Sequence, residues 1–144
     1  MFQLDFDPRV MSYEELVRLV CANRNGGRAY SRQYMEVVFC ADAEQEAAAR
    51  RAGIAVPIVR DARFYLAEDY HQKYYLRHDR TLMAELDGYS PHELVESRVA
   101  ARLNGYVAGR GTPEQLREEL PSLGLSAAGS AHLAKIVADR RGHV

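Results

Sequence analysis

The sequence predicts an α+β fold, a partial sheet-and-helix core followed by a helical C-terminal extension. Two observations predict it. Up to about residue 60, segments with strand chemistry alternate with capped helical segments; after Leu76 every periodic stretch is helical. At 144 residues the chain has the size of one domain with an appended part. The expected division is residues 1–78 as the core and residues 79–144 as a helical extension packed on it.

Residues 2–6 alternate apolar and polar, which places Phe2, Leu4 and Phe6 on the inner side of a half-buried strand that Asp7-Pro8 ends. Ser12 with Glu15 three residues later forms a capping box and opens a helix through Leu16, Val17, Leu19 and Val20 to about Asn23. Asn25-Gly26-Gly27 breaks it. Residues 34–40, rich in β-branched and aromatic side chains, make the best strand of the chain. Asp42 caps a helix that runs through Arg51 to a stop at Gly53, and residues 55–60 form a third strand. This β-α-β-α-β order suits a sheet with helices on one face.

Beyond Leu76 lie four helical stretches, Thr81–Leu86, Ser90–Tyr106, Thr112–Leu120 and Ser126–Arg141. Asp87-Gly88, Gly109-Arg110-Gly111 and the segment Pro121–Gly124 separate them. Ser90-Pro91-His92-Glu93 combines an N-cap, a proline at the first helical position and an acid at the third, and Thr112-Pro113-Glu114-Gln115 repeats that chemistry. Leu94, Val95, Arg98, Val99, Arg102 and Leu103 give the second stretch an amphipathic face.

Composition narrows function by exclusion. A net charge of -1 offers no electrostatic argument for nucleic acid or an anionic membrane. No apolar run has the length of a membrane span, and the acidic, alternating N-terminus does not read as a signal peptide, so the expected setting is cytoplasmic. Cys21 and Cys40 form neither a disulfide framework nor a zinc pattern and read as core thiols. No metal site is expected.

The most distinctive stretch is residues 64–76, with five aromatics, two acids, a His, a Gln and a Lys in thirteen positions. If the chain is helical from Glu68, then Asp69, Gln72 and Lys73 fall near one face and the two acids sit at the positive end of the helix dipole. Tyrosine rings there can pack their bodies and still offer hydroxyls to a wet pocket.

Phe64-Tyr65-Leu66-Ala67-Glu68-Asp69-Tyr70-His71-Gln72-Lys73-Tyr74 resembles the C-terminal signature of the type A peptide methionine sulfoxide reductases. Phe6-Asp7-Pro8 with Ser12 to Leu16, Gln33-Tyr34 with Val37-Val38-Phe39, and Glu44-Gln45 with Ala47-Ala48-Ala49 are similar to earlier parts of that family's pattern, so the resemblance spans residues 2–76. It implies a partial reductase-like (ferredoxin-like) core. It also implies reduction of methionine sulfoxide, a repair of oxidised protein: a thiolate attacks the sulfoxide sulfur, an acid protonates the oxygen, and a second thiol resolves the sulfenic acid. No cofactor is implied beyond a thioredoxin or dithiol reductant.

Under that resemblance the family's Gly-Cys-Phe-Trp nucleophile segment and its proton-donating Glu would lie upstream of Met1, and the chain is expected to be N-terminally truncated and inactive alone. The family's second acid would fall near Ala29 or Tyr30, where no carboxylate stands, and no cysteine follows Cys40 to act as a resolving thiol. Tyr34 remains from the catalytic shell, either bonding a sulfoxide oxygen or serving structure. Tyr34, Glu68, Asp69, Tyr70 and His71 are the expected wall of the substrate pocket, with His71 a hydrogen-bonded structural residue and not a metal ligand. Cys21 at a helix end and Cys40 beside Asp42 are poorly placed to replace the nucleophile. Implied partners are thioredoxin and a methionine sulfoxide peptide, with a further protein covering the exposed edge of the Phe2–Phe6 strand. The alternative is a noncatalytic interaction or methionine-peptide-binding module, a pseudoenzyme that uses the helical C-terminal region.

Overall fold

The computed structural model describes residues 3–22 and 35–139. The chain splits between Tyr65 and Leu66 into two compact units. Residues 66–78, grouped by sequence with the first part, lie in the second unit, where fully buried Leu76 joins the helical core.

The first unit holds α1 (Tyr13–Ala22), β1 (Val38–Cys40), α2 (Ala43–Arg51) and β2 (Ile58–Arg60). Ser12 and Glu15 form the expected capping arrangement: the Glu15 amide donates to Ser12 Oγ at 3.2 Å and the Ser12 amide to Glu15 Oε2 at 2.9 Å. Asp42 Oδ1 accepts the Gln45 amide at 2.7 Å and starts α2. The strands pair in parallel, Val38 opposite Ile58 and Cys40 opposite Arg60, with α2 as the crossover. Val17, Cys40 and Ala49 are its buried cluster, with Tyr13, Cys21, Val38, Ile54 and Ile58 packed around them. Side chains alternate along a strand, so the middle pair, Phe39 and Val59, points away from that cluster, each 40% exposed.

Two expectations change here. The strand predicted at residues 2–6 is not formed over its described residues: 3–7 carry no regular structure and Leu4 is half exposed. A strand exists only through a ladder partner, and this stretch has none in the two-stranded sheet. Asp7 instead closes a turn, accepting the Val10 and Met11 amides at 3.0 and 3.1 Å. The strand edge expected to need a covering protein is therefore absent from residues 3–6. The other two strands are shorter than their patterns suggested. Pro57 accepts the Val38 amide at 2.9 Å but has no N–H with which to extend the ladder.

The second unit contains α3 (Tyr74–Arg77), α4 (Arg80–Ala84), α5 (Pro91–Glu96), α6 (Arg98–Val107), α7 (Pro113–Glu119) and α8 (Ala127–Asp139), with a 3₁₀ turn at Leu120–Ser122. The capping boxes at Ser90/Glu93 and Thr112/Gln115 both form. The single helix expected over Ser90–Tyr106 is two helices. Ser97 adopts an extended ψ of 120° and its hydroxyl accepts the Ala100 amide at 3.0 Å, so one residue ends α5 and caps α6. Leu76, Leu82, Leu103, Tyr106 and Leu133 are fully buried at the centre of one continuous core.

Polar clamps join its helices. Arg102 grips Glu119 with two bonds of 2.6 and 2.7 Å, and the Tyr106 hydroxyl donates to the same carboxylate at 3.0 Å, tying α6 to α7. Gly111 sits against the Tyr106 ring, where a Cβ would come within 2.6 Å of it. Glu85 accepts the Ser126 amide at 2.7 Å and its hydroxyl at 2.5 Å just ahead of α8. Asp79 caps α4 through the Leu82 amide at 3.0 Å and contacts His132 Nε2 of α8 at 2.9 Å. Among the described residues no helix is long and apolar enough to cross a membrane.

Two outcomes test this packing. Leu103→Ala should cost the helical unit about 2–5 kcal/mol, read from urea unfolding by circular dichroism, because the cavity lies where nothing can collapse into it. Burial alone would raise the Asp79 carboxyl, but the bonds from the Leu82 amide and His132 outweigh it and leave it below its ordinary 3.8. The unfolded chain therefore takes up that proton first as pH falls. The Asp79 contribution should be complete above pH 3.8 and vanish as pH falls through the lower folded value. In Asp79→Asn the urea midpoint should accordingly fall less on acidification than in the unaltered chain.

Candidate functional site

The distinctive stretch enters the second unit at Leu66. Residues 66–68 are irregular, and Asp69–His71 make one 3₁₀ turn, with the His71 amide donating to the Glu68 carbonyl at 2.9 Å and the Gln72 amide to Asp69 at 3.1 Å. Gln72 then turns extended, Lys73 is left-handed at φ 53° and ψ 44°, and α3 follows. The continuous helix expected from Glu68 is thus broken at Gln72-Lys73, and Asp69, Gln72 and Lys73 do not share a helical face.

The break has a packing cause. Leu76 is fully buried, and its amide donates to Asn104 Oδ1 on α6 at 3.1 Å. Holding α3 in that place requires the chain to reverse at Lys73. A left-handed non-glycine residue costs roughly 1–2 kcal/mol. Two bonds offset it: Lys73 Nζ donates to the Val95 carbonyl at 2.9 Å, and Arg77 Nε donates to the Gln72 carbonyl at 2.8 Å. Burial of the Lys73 stem depresses its ammonium pKa.

With Leu76 inward, the aromatic and acidic side chains of the stretch face solvent. Leu66, Tyr70, Tyr74 and Tyr75 are between 50 and 64% exposed. The Tyr70 and His71 rings lie 4.3 Å apart, and Tyr74 packs edge-on against Tyr75 and 4.4 Å from His78. Glu68 and Asp69 are exposed; the Glu68 carboxylate reaches His71 Nε2 at 4.0 Å, an ion pair only when the imidazole is protonated. Of the five predicted wall residues, Glu68, Asp69, Tyr70 and His71 are consecutive on this surface. Tyr34 lies outside the described residues. No group of side chains among the described residues could hold a metal ion. A separate hollow of about 320 Å³ on the helical unit, lined by Arg117, Leu120, Leu125 and Ser130 among others, includes none of these residues.

Sequence reasoning missed Lys73, the Val95 carbonyl and Asn104 as the supports of this surface. The one readable signal was Asn104, a poor helix former inside an amphipathic helix, where such a side chain usually has a specific partner.

The thiols sit elsewhere. Cys40 is 3% exposed and lies 3.5 Å from the Tyr13 hydroxyl, whose pKa is pushed up by burial and then by that thiol. Cys21 is half-buried in the last turn of α1, and neither cysteine is in a disulfide. Neither stands at a helix N-terminus, the end that favours a thiolate. In the folded chain a thiol-specific chromogenic reagent should therefore modify Cys21 first, Cys40 reacting only at the rate of unfolding. Cys40→Ser should leave the fast phase intact.

A family model described as peptide methionine sulfoxide reductase matches residues 1–100. A second, described as the helical domain of selenoprotein methionine sulfoxide reductase A, matches residues 88–129. The chain is 37% identical over 139 residues to a peptide methionine sulfoxide reductase of Drosophila melanogaster, covering 88% of this chain and 56% of the relative. It is 26% identical over 128 residues to peptide methionine sulfoxide reductase A5 of Oryza sativa subsp. japonica, covering 77% and 50%. A Nitratiruptor protein of the same description is 34% identical over 93 residues, covering 53% of each. The chain spans about half the length of the curated relatives it matches. No solved structure matches it significantly.

Proposed function

On the premise that the chain belongs to the peptide methionine sulfoxide reductase family, shown by the match over residues 1–100, we propose that residues 66–75 present the peptide-facing wall of a methionine sulfoxide site. The reaction served is reduction of peptide-bound methionine S-sulfoxide, with a thioredoxin-type dithiol as reductant in a cytoplasmic setting. We propose further that these 144 residues do not turn over on their own thiols.

One observation carries this reading. The signature side chains Tyr70 and Tyr74 stand exposed, whereas Cys40 is sealed in the first unit's core against Tyr13. Attack on a sulfoxide needs an accessible thiolate, and the thiol of Cys40, 3% exposed, is not accessible. The surface of residues 66–75 offers what binding needs: aromatic faces for a methyl-bearing sulfur side chain, and hydroxyls and an imidazole as hydrogen-bond donors. Binding without turnover is also what a noncatalytic methionine-peptide module would show. The exposed aromatics support that second reading as far as binding goes.

The test is dithiothreitol-driven reduction of a peptide methionine S-sulfoxide by the purified chain, alongside Cys21→Ser and Cys40→Ser, with peptide binding followed by calorimetry. Binding should be measurable and turnover should equal the reagent blank. Turnover that either substitution abolishes would identify a working nucleophile in this chain and overturn the proposal of inactivity. Absence of binding would overturn the assignment of the wall.

A further inference from the structure

The aromatic surface of residues 66–75 carries an asymmetry of charge that the proposed reaction does not require. Residues 66–77 hold two Lys/Arg cations and two anions, and the fold treats them oppositely. Lys73 and Arg77 are half-buried and turned to backbone carbonyls, those of Val95 and Gln72. Glu68 and Asp69 both stand in solvent, on the same short turn as Tyr70 and His71. The Asp69 carboxylate makes no ion pair among the described residues, and Glu68 meets only His71, at 4.0 Å. What a ligand meets is therefore tyrosine faces flanked by carboxylates, with the segment's positive charges withdrawn to the chain itself.

That combination complements one side-chain chemistry. A lysine ammonium or arginine guanidinium gains from the negative face of an aromatic ring and from a nearby carboxylate; an acidic side chain is repelled by the carboxylates and gains nothing from the rings. The tyrosines keep their positions without a ligand: Tyr74 is braced by Tyr75 and His78, and His78 Nδ1 lies 2.7 Å from the Tyr74 carbonyl. Little ordering is left for binding to impose.

We propose that this surface selects peptides in which a lysine or arginine lies beside the oxidised methionine, Glu68, Asp69 and the tyrosine faces recognising the cation. The inference rests on the reading of residues 66–75 as the peptide-facing wall and names the substrate class of that wall.

Three synthetic peptides identical except for Lys, Gln or Glu next to the methionine sulfoxide test it, titrated into the full 144-residue chain by calorimetry at low salt. The expected order of affinity is Lys, then Gln, then Glu, with roughly a tenfold span between the extremes. The span should shrink in about 0.5 M salt as the carboxylate part is screened. Glu68→Gln combined with Asp69→Asn should bring the Lys-to-Glu ratio towards one, with circular dichroism confirming an unaltered fold. Tyr70→Leu, which keeps the apolar bulk and removes the ring, should lower the same ratio. Equal affinity for the three peptides, or preference for the acidic one, overturns the inference and leaves the wall assignment standing. Failure of all three to bind overturns both.

Discussion

Everything on the aromatic surface depends on where Leu76 goes. Its side chain is fully buried in the helical core, and its amide donates to Asn104 Oδ1, so the single turn of α3 is fixed to α6 by an apolar and a polar contact at once. A one-turn helix has no stability of its own, since nucleation fixes several residues for one bond; it persists only where tertiary contacts hold it. Once Leu76 points inward, helix geometry directs Tyr74 and Tyr75 outward. The reversal at Lys73 is the local cost of bringing the chain into that place, and the bonds from Lys73 and Arg77 to backbone carbonyls offset it.

The two units reach stability by different routes. The helical unit has a continuous core and links its helices by clamps at their ends: Glu119 between α6 and α7, Glu85 ahead of α8, Asp79 between α4 and α8. Glu85 and Asp79 also accept the Ser126 and Leu82 amides, backbone donors at helix starts that would otherwise lack partners. The first unit has a far smaller buried cluster, and Cys40 is one of its members. Parallel strands are usually covered on both faces, yet Phe39 and Val59 remain substantially exposed on theirs. In so small a core a buried thiol is a packing element, and exposing it for chemistry would remove part of what holds the sheet to its helices.

How legible this was depended on the range of the interactions. Caps are local, so Ser12, Asp42, Ser90 and Thr112 could be read as helix starts, and all four form as read. The alternation at residues 2–6 was equally clear, but alternation states only which face would be buried if a ladder partner existed, and partnering is non-local. The split at Ser97 had a local signal in a residue that favours caps over helix interiors, overridden in reading by the amphipathic run on both sides. The surface of residues 66–75 was legible as a distinctive composition and, through resemblance, as a family signature. Its backbone was not, because the helix break is imposed by Asn104 and Val95, about 28 and 22 positions away along the chain.

The geometry also weighs against a purely structural account of that composition. Were the aromatics there only to start a helix and close a small domain, their rings would be in the core, where each would contribute by burial. The core takes Leu76 instead and leaves Tyr70, Tyr74 and Tyr75 at least half exposed. Exposed tyrosines do little for the stability of the unit that carries them; the reversal at Lys73 and its supporting bonds serve the burial of Leu76, and the tyrosines take their outward positions from it. On the proposed reading, aromatic side chains presented on a braced turn would lose little entropy on meeting a ligand. Tyr70, Tyr74 and Tyr75 are thus open to solvent, which is the condition that the proposed substrate-facing wall must meet.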